Sequence, residues 1–185
     1  LLVIDEVQTG FGRTGTFFGF EQHDIVPDII TLAKGMGGGM PIGAFISSQE
    51  IMSELTHHPV LGHITTFGGH PVCSAASLAC LNIIEKNNLR ASIPEKSQLF
   101  KDLLVHDKIK EIRGMGFFLC VEFESQKFNF AVIKKCIKKG LITDWFLFND
   151  KCLRISPPLI IEEKDIRFSC KIIIESINEL ISESV

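Results

Sequence analysis

Two short apolar runs constrain this chain more than any other feature. Residues 1–4, "LLVI", end directly on two carboxylates, Asp5 and Glu6, and residues 29–33, "IITLA", end directly on Lys34. A glycine-punctuated loop follows each, "VQTGFGRTG" and "GMGGGMP", and a third apolar run occupies residues 43–47. Apolar runs without alternation, too short for helices, read as strands, and residues 1–4 read as one that is fully buried. Strand, charged turn, strand is the rhythm of an α/β sheet whose loops carry chemistry at the strand ends. Leu1 stands where such a strand is already under way, so the chain is expected to be the C-terminal part of a longer protein.

The remaining elements follow from periodicity and punctuation. "QEIMSEL" reads as a short helix, and "HHPVLGHITTFGGHP" as a long polar loop. Residues 72–87 read as a helix, with Pro71 at its start and small residues and Leu/Ile at helical spacing; a second amphipathic helix covers about 93–105. "IKEIRGMGFFLCVEFES" reads as two strands around a glycine turn, and "NFAVIKKCIKKG" as a helix with lysines in its last turn and Gly140 as its stop. "LITDWFLFNDKCLRISPPL" reads as two more strands or a hairpin around Asn149-Asp150, and residues 162–183 as a closing helix with an inner stripe at 166, 173, 177, 180 and 181. The expected organisation is part of a large α/β domain over 1–70, a linking helix over 71–89 and a smaller α+β domain over 90–185.

Composition excludes several classes. A net charge of −3 gives no basic footprint for nucleic acid or an anionic membrane, and no apolar run approaches the length of a membrane span. The six cysteines form no CxxC pair and several lie inside apolar runs, so they read as free buried thiols of a reducing cytoplasm. The histidines at 57, 58, 63 and 70 fit no zinc spacing and read as solvated loop residues, so no metal is expected.

Asp5 and Lys34 carry the chemistry as a pair. A strand-end carboxylate alone reads as a loop cap or ion pair, and a strand-end lysine alone as a snorkelling side chain. Together they are the two groups a pyridoxal-phosphate enzyme must supply: an amine for a Schiff base and an acid facing the pyridinium nitrogen. Glu6 reads as a brace for the loop, and Arg13 as a loop-ordering residue without a catalytic role. The glycines at 35, 37, 38 and 39 permit a tight turn after Lys34, and no GKS or GKT follows to make a P-loop.

"VIDEVQTGFGRTG", "PDIITLAKGMGGGMPIGA", "TTFGGHPVCSAA" and "LRISPPL", in this order and spacing, resemble the class III aminotransferases, and most closely the ornithine, acetylornithine and 4-aminobutyrate branch. The resemblance implies an α/β chain of pyridoxal-phosphate fold type I, covering the C-terminal part of the large parallel-sheet domain and the small domain. It implies pyridoxal 5'-phosphate as cofactor, an amino-acid donor, a 2-oxo acid acceptor such as 2-oxoglutarate, and a homodimer with shared active sites. By motif position, Asp5 matches the acid at the pyridine nitrogen and Val7 the residue packed on one ring face. Gln8 matches the amide near the 3-hydroxyl, and Lys34 the Schiff-base lysine and proton carrier. Thr66 matches the threonine that reaches the neighbouring subunit's cofactor phosphate, and Arg154 the arginine that holds a substrate carboxylate.

Plainer readings stand beside these: core for Val7, a loop amide for Gln8, a loop hydroxyl for Thr66, and a surface-pairing strand residue for Arg154. The family usually has Asn where this chain has His70, which His70 replaces as a hydrogen-bonding side chain. Two other functions compete, a glutamate-semialdehyde-type aminomutase and a truncated non-catalytic homologue. Gln8 argues against the first, since aminomutases tend to carry Met there, and the intact site set argues against the second. The phosphate pocket and the second ring-stacking residue are expected upstream, so the 185 residues alone are expected to bind cofactor poorly and to be inactive.

Overall fold

The computed structural model describes residues 1–183. They form two compact units, Leu1–Arg90 and a second beginning at Ala91.

In the first unit, β1 (Val3–Asp5), β2 (Ile29–Leu32) and β3 (Ala44–Ser47) form one sheet in that order. The β1–β2 pair is parallel, with Asp5 opposite Thr31, and the β2–β3 pair is antiparallel. This piece of sheet is therefore mixed, an antiparallel strand added to a parallel pair. Burial differs as well: Leu1, Leu2 and Val3 are 89, 41 and 54% exposed, whereas Leu32 of the central strand is 5% exposed. The reason is position, since β1 is an edge strand paired on one side only among the described residues.

A short helix α1 (Gln49–Ser53) follows, capped by the Ser48 hydroxyl accepting from Ile51 N. Helix α2 (Pro71–Lys86) begins after the exposed loop 57–70. His70 is its N-cap, with Nδ1 accepting from Val72 N at 3.3 Å, so a ring nitrogen does what an Asn side chain does at such a position. The other three loop histidines are exposed. Helix α2 lies within the first unit.

The second unit is α+β. Helix α3 (Ile93–Leu103) leads into β4 (Glu111–Met115) and β5 (Phe118–Glu122). Helix α4 (Gln126–Lys138), β6 (Asp144–Phe146), β7 (Asn149–Ile155) and α5 (Glu163–Ser182) complete it. The sheet runs β4-β5-β7-β6 and is antiparallel throughout. Alternation sorts its residues: Leu119, Val121, Leu153 and Ile155 join the core, with Val132 and Cys136 of α4 and Ile166, Ile173 and Ile177 of α5. The opposite face carries Glu111, Arg113, Glu122, Asp144 and Arg154.

One boundary moves. The hairpin turns at Leu147-Phe148, and Asn149 pairs with Phe146 inside the ladder, so Asn149-Asp150 is strand and not turn. The fully buried Asn129 of α4 holds it there, donating from Nδ2 to the Asp150 carbonyl at 2.8 Å. A side chain on a neighbouring helix thus outweighs the local turn preference of Asn-Asp.

All six cysteines are free, and five are buried. Burial pushes the Cys120 and Cys170 thiols up to about 12, which removes the nucleophilic thiolate at ordinary pH. Alkylation at pH 8 is expected to leave both unmodified in the folded protein and to modify all six thiols in denaturant, read by mass. Rapid native labelling of Cys170 would contradict this packing.

Candidate active site

The turn after β1 is built around Glu6, not Asp5. Glu6 is 1% exposed and its carboxylate accepts from Gly19 N at 3.0 Å, Phe20 N at 2.8 Å and the Thr9 hydroxyl. A buried carboxylate is stable here because two backbone donors at the start of a 3-10 turn (Gly19–His23), together with the hydroxyl, replace its water. The loop-bracing reading of Glu6 agrees with this arrangement. Glu6→Gln keeps the shape, removes the charge and turns an amide N–H toward donors. It is expected to destabilise the first unit by about 2–3 kcal/mol, read by urea unfolding. A loss below about 0.5 kcal/mol would mean that the brace contributes nothing.

With Glu6 turned inward, Asp5 is left outward. It is exposed, and its Oδ1 accepts from Val7 N at 2.9 Å, which fixes the carboxylate at the end of β1. The run read from sequence as a fully buried strand thus ends on an accessible Asp5, and Glu6 is the buried carboxylate. Val7 and Gln8 follow in the same turn, both half-buried.

Lys34 opens the 3-10 turn Lys34–Gly37 directly beyond β2. It is exposed, with φ +43°, in the left-handed region that a β-carbon disfavours. Two supports hold that conformation. Phe11, part of an edge-to-face cluster with Phe17 and Phe18, lies 3.5 Å from where a β-carbon on Gly35 would stand. On the α2 side, the Cys80 thiol donates to Gly35 O at 3.3 Å. Gly38, at φ +57°, approaches α2 so closely that an added β-carbon would sit 2.9 Å from Cys80 Cβ. These supports were not singled out from the sequence. Their signals are the phenylalanines of "FGRTGTFFGF" and the small residues Ala76 and Cys80, one helical turn apart on α2.

Asp5 and Lys34 thus stand at the carboxyl ends of two adjacent parallel strands, Asp5 opposite Thr31 and Lys34 three residues beyond it. An exposed carboxylate and an exposed amine at neighbouring strand ends match the ring end of pyridoxal phosphate, whose ring nitrogen needs an acid and whose aldehyde needs an amine. Thr66 lies in the exposed loop 57–70 of the same unit. Arg154 belongs to the second unit, on β7, where its Nη2 donates to Asp144 Oδ2 at 3.1 Å. Among the described residues no group of His, Cys, Asp and Glu is arranged to hold a metal, and no helix is long and apolar enough to cross a membrane.

The aminotransferase class-III family matches residues 1–177. The chain is 37% identical to the acetylornithine aminotransferase of Caldanaerobacter subterraneus subsp. tengcongensis, over 97% of this chain and 45% of that protein. A Bacillus anthracis aminotransferase superposes with a TM-score of 0.89 at 32% identity, over 97% of this chain and 45% of its own. The ornithine aminotransferase of Toxoplasma gondii superposes with a TM-score of 0.87 at 29% identity, over 99% and 44%. The chain thus spans about half the length of these relatives, and its α/β architecture is that of the C-terminal part of fold type I. It belongs to the class III aminotransferases.

Proposed function

We propose that these residues serve a pyridoxal-5'-phosphate-dependent transaminase that moves the terminal amine of an ornithine-like or ω-amino acid to a 2-oxo acid such as 2-oxoglutarate. The observation that carries this reading is the pairing of Asp5 and Lys34 at adjacent parallel strand ends. When bound, pyridoxal phosphate supplies an electrophilic carbon and a ring that accepts electrons. Asp5 keeps a proton on the ring nitrogen through a charge-assisted hydrogen bond. Lys34 Nζ would hold the cofactor's aldehyde carbon and would move a proton to and from the substrate carbon. Val7 would cover one ring face and Gln8 would hydrogen-bond beside the 3-hydroxyl.

Thr66 reaches the cofactor phosphate of a second subunit, which makes the working form a homodimer with shared sites. Arg154 holds a substrate carboxylate, for which a guanidinium fork is geometrically suited. The compartment is the cytoplasm, whose reducing conditions keep six thiols free. The test is an assay of the complete chain as the cell makes it, purified with its cofactor, using L-ornithine, N2-acetyl-L-ornithine or 4-aminobutyrate as donor, with and without 2-oxoglutarate. Glutamate formation that requires the 2-oxo acid supports transamination. Turnover without an acceptor would assign the protein to the aminomutases instead.

A further inference from the structure

Lys34 leaves β2 with φ +43°, and its side chain is long, so a small rotation at its α-carbon displaces Nζ by much more. The peptide that follows limits that rotation. Gly35 turns its α-carbon to Phe11, whose Cβ lies 3.5 Å from where a β-carbon on Gly35 would stand. Its carbonyl meets α2, where the Cys80 thiol donates to it at 3.3 Å. The turn's own bond to that carbonyl, from Gly38 N, is long at 3.4 Å, beyond the usual range for N–H···O. Sulfur is the larger atom, so 3.3 Å is an unstretched contact for the thiol.

The direction of this bond is unusual for a helix residue. A polar side chain inside a helix commonly turns back to the carbonyl four residues earlier, as the Ser169 and Ser176 hydroxyls do on α5. Cys80 instead donates out of its own helix to the turn that carries Lys34. A second contact seats it there: a β-carbon on Gly38 would stand 2.9 Å from Cys80 Cβ and 3.4 Å from the Ala76 carbonyl oxygen. The turn therefore lies directly on the helix, with the thiol in reach of Gly35 O.

We propose that Cys80 is a positioning residue for Lys34: by holding the Gly35 carbonyl against α2 it fixes the direction in which the amine leaves the strand end, and with it the rate at which Nζ reaches the cofactor's aldehyde carbon. This rests on the reading of Lys34 as the cofactor-holding amine, and goes beyond it by naming the group that aims it. One S–H donor is a weak contact, so its loss costs little stability. Displacing a reacting amine by about 1 Å costs up to about 100-fold in rate. The effect of Cys80 thus falls on rate and not on folding.

The experiment uses the complete chain as the cell makes it, stripped of cofactor and then mixed with saturating pyridoxal phosphate. Nζ adds to the aldehyde carbon, the aldehyde oxygen leaves as water, and borohydride added at timed intervals fixes the C–N bond at Lys34, read by peptide mass. Pyridoxamine phosphate, which has no aldehyde, reports the pocket alone by isothermal titration. Cys80→Ala is expected to slow capture about tenfold or more, with pyridoxamine phosphate affinity unchanged within about twofold and the thermal midpoint within about 2 °C. Cys80→Ser, which keeps a donor, is expected to capture within about threefold of the parent. Capture by Cys80→Ala at the parent's rate overturns the proposal and leaves Lys34 as the attachment point. An equal loss of capture and of pyridoxamine phosphate affinity also overturns it, making Cys80 a packing residue only. So does Cys80→Ser as slow as Cys80→Ala, since the donor would then be irrelevant. If the parent fixes no cofactor at Lys34, the reading of Lys34 fails and the proposal with it.

Discussion

Replacing Lys34 by alanine is expected to end covalent capture of pyridoxal phosphate while leaving the first unit folded. Lys34 is exposed, so the change removes an amine without opening a cavity. Its backbone, at φ +43°, is as strained with alanine as with lysine, so the supports from Phe11 and Cys80 should hold the turn as before. Borohydride treatment of the complete, cofactor-loaded enzyme as the cell makes it should fix the group at Lys34 in the parent and at no residue in Lys34→Ala, read by peptide mass. Loss of the proton carrier alone should slow turnover by about 10²–10⁴-fold, and loss of the attachment adds to that. Lys34→Gly sharpens the test. It should be equally inactive, yet as stable or up to about 1 kcal/mol more stable, because glycine adopts this φ without strain. Retained borohydride-fixed cofactor in either variant would remove Lys34 from the proposed chemistry.

That Lys34 and Asp5 belong to strand ends was legible because each apolar run stops abruptly on a charge. Which of two consecutive carboxylates turns inward was not. Neighbouring strand residues point to opposite sides, so Asp5 and Glu6 were bound to part, but the choice depends on where free backbone donors lie. Those donors are Gly19 N and Phe20 N, thirteen and fourteen residues away, and only the folded loop brings them to Glu6. The small domain's helices and its first hairpin were readable from apolar spacing and the glycine turn.

The second hairpin was read with its turn at Asn149-Asp150 instead of Leu147-Phe148, and the Asp144–Arg154 pair disappeared with its register. A plain mirror about Leu147-Phe148 would set Asp144 opposite Lys151. The irregularity between Trp145 and Phe146 shifts the register so that Asp144 meets Arg154 instead. A bulge leaves no mark in a pattern of polar and apolar residues, so this partner of Arg154 emerges only from the ladder.

Gly114→Ala is expected to be the most destabilising single-methyl change in the second unit. Gly114 lies within β4, opposite Leu119, at φ +121°. An added β-carbon would stand 2.1 Å from the Phe118 carbonyl oxygen, with Leu119 Cα only 3.1 Å away. Both are backbone atoms of the paired strand, so no side chain can rotate to make room, and the hairpin must open or the ladder must slip. A strained φ costs about 1–3 kcal/mol and overpacking a further 1–3, so a loss of at least about 3 kcal/mol is expected. For a unit of this size that lowers the midpoint of thermal unfolding by more than about 10 °C. Gly140→Ala is the control: its φ is +85°, but nothing lies within 4 Å of the added carbon, so only the conformational cost of about 1 kcal/mol applies. The difference between the two variants isolates the steric contact, and equal losses would mean that the close approach of β4 to β5 does not limit the fold. The consequence reaches the polar face as well. Arg113, the residue before Gly114, shares one row of the sheet with Cys120, Arg154 and Asp144, so a slipped β4 carries its charge out of register with that row. Ligand binding at Arg154 should therefore weaken in Gly114→Ala even below its unfolding temperature, and remain unchanged in Gly140→Ala.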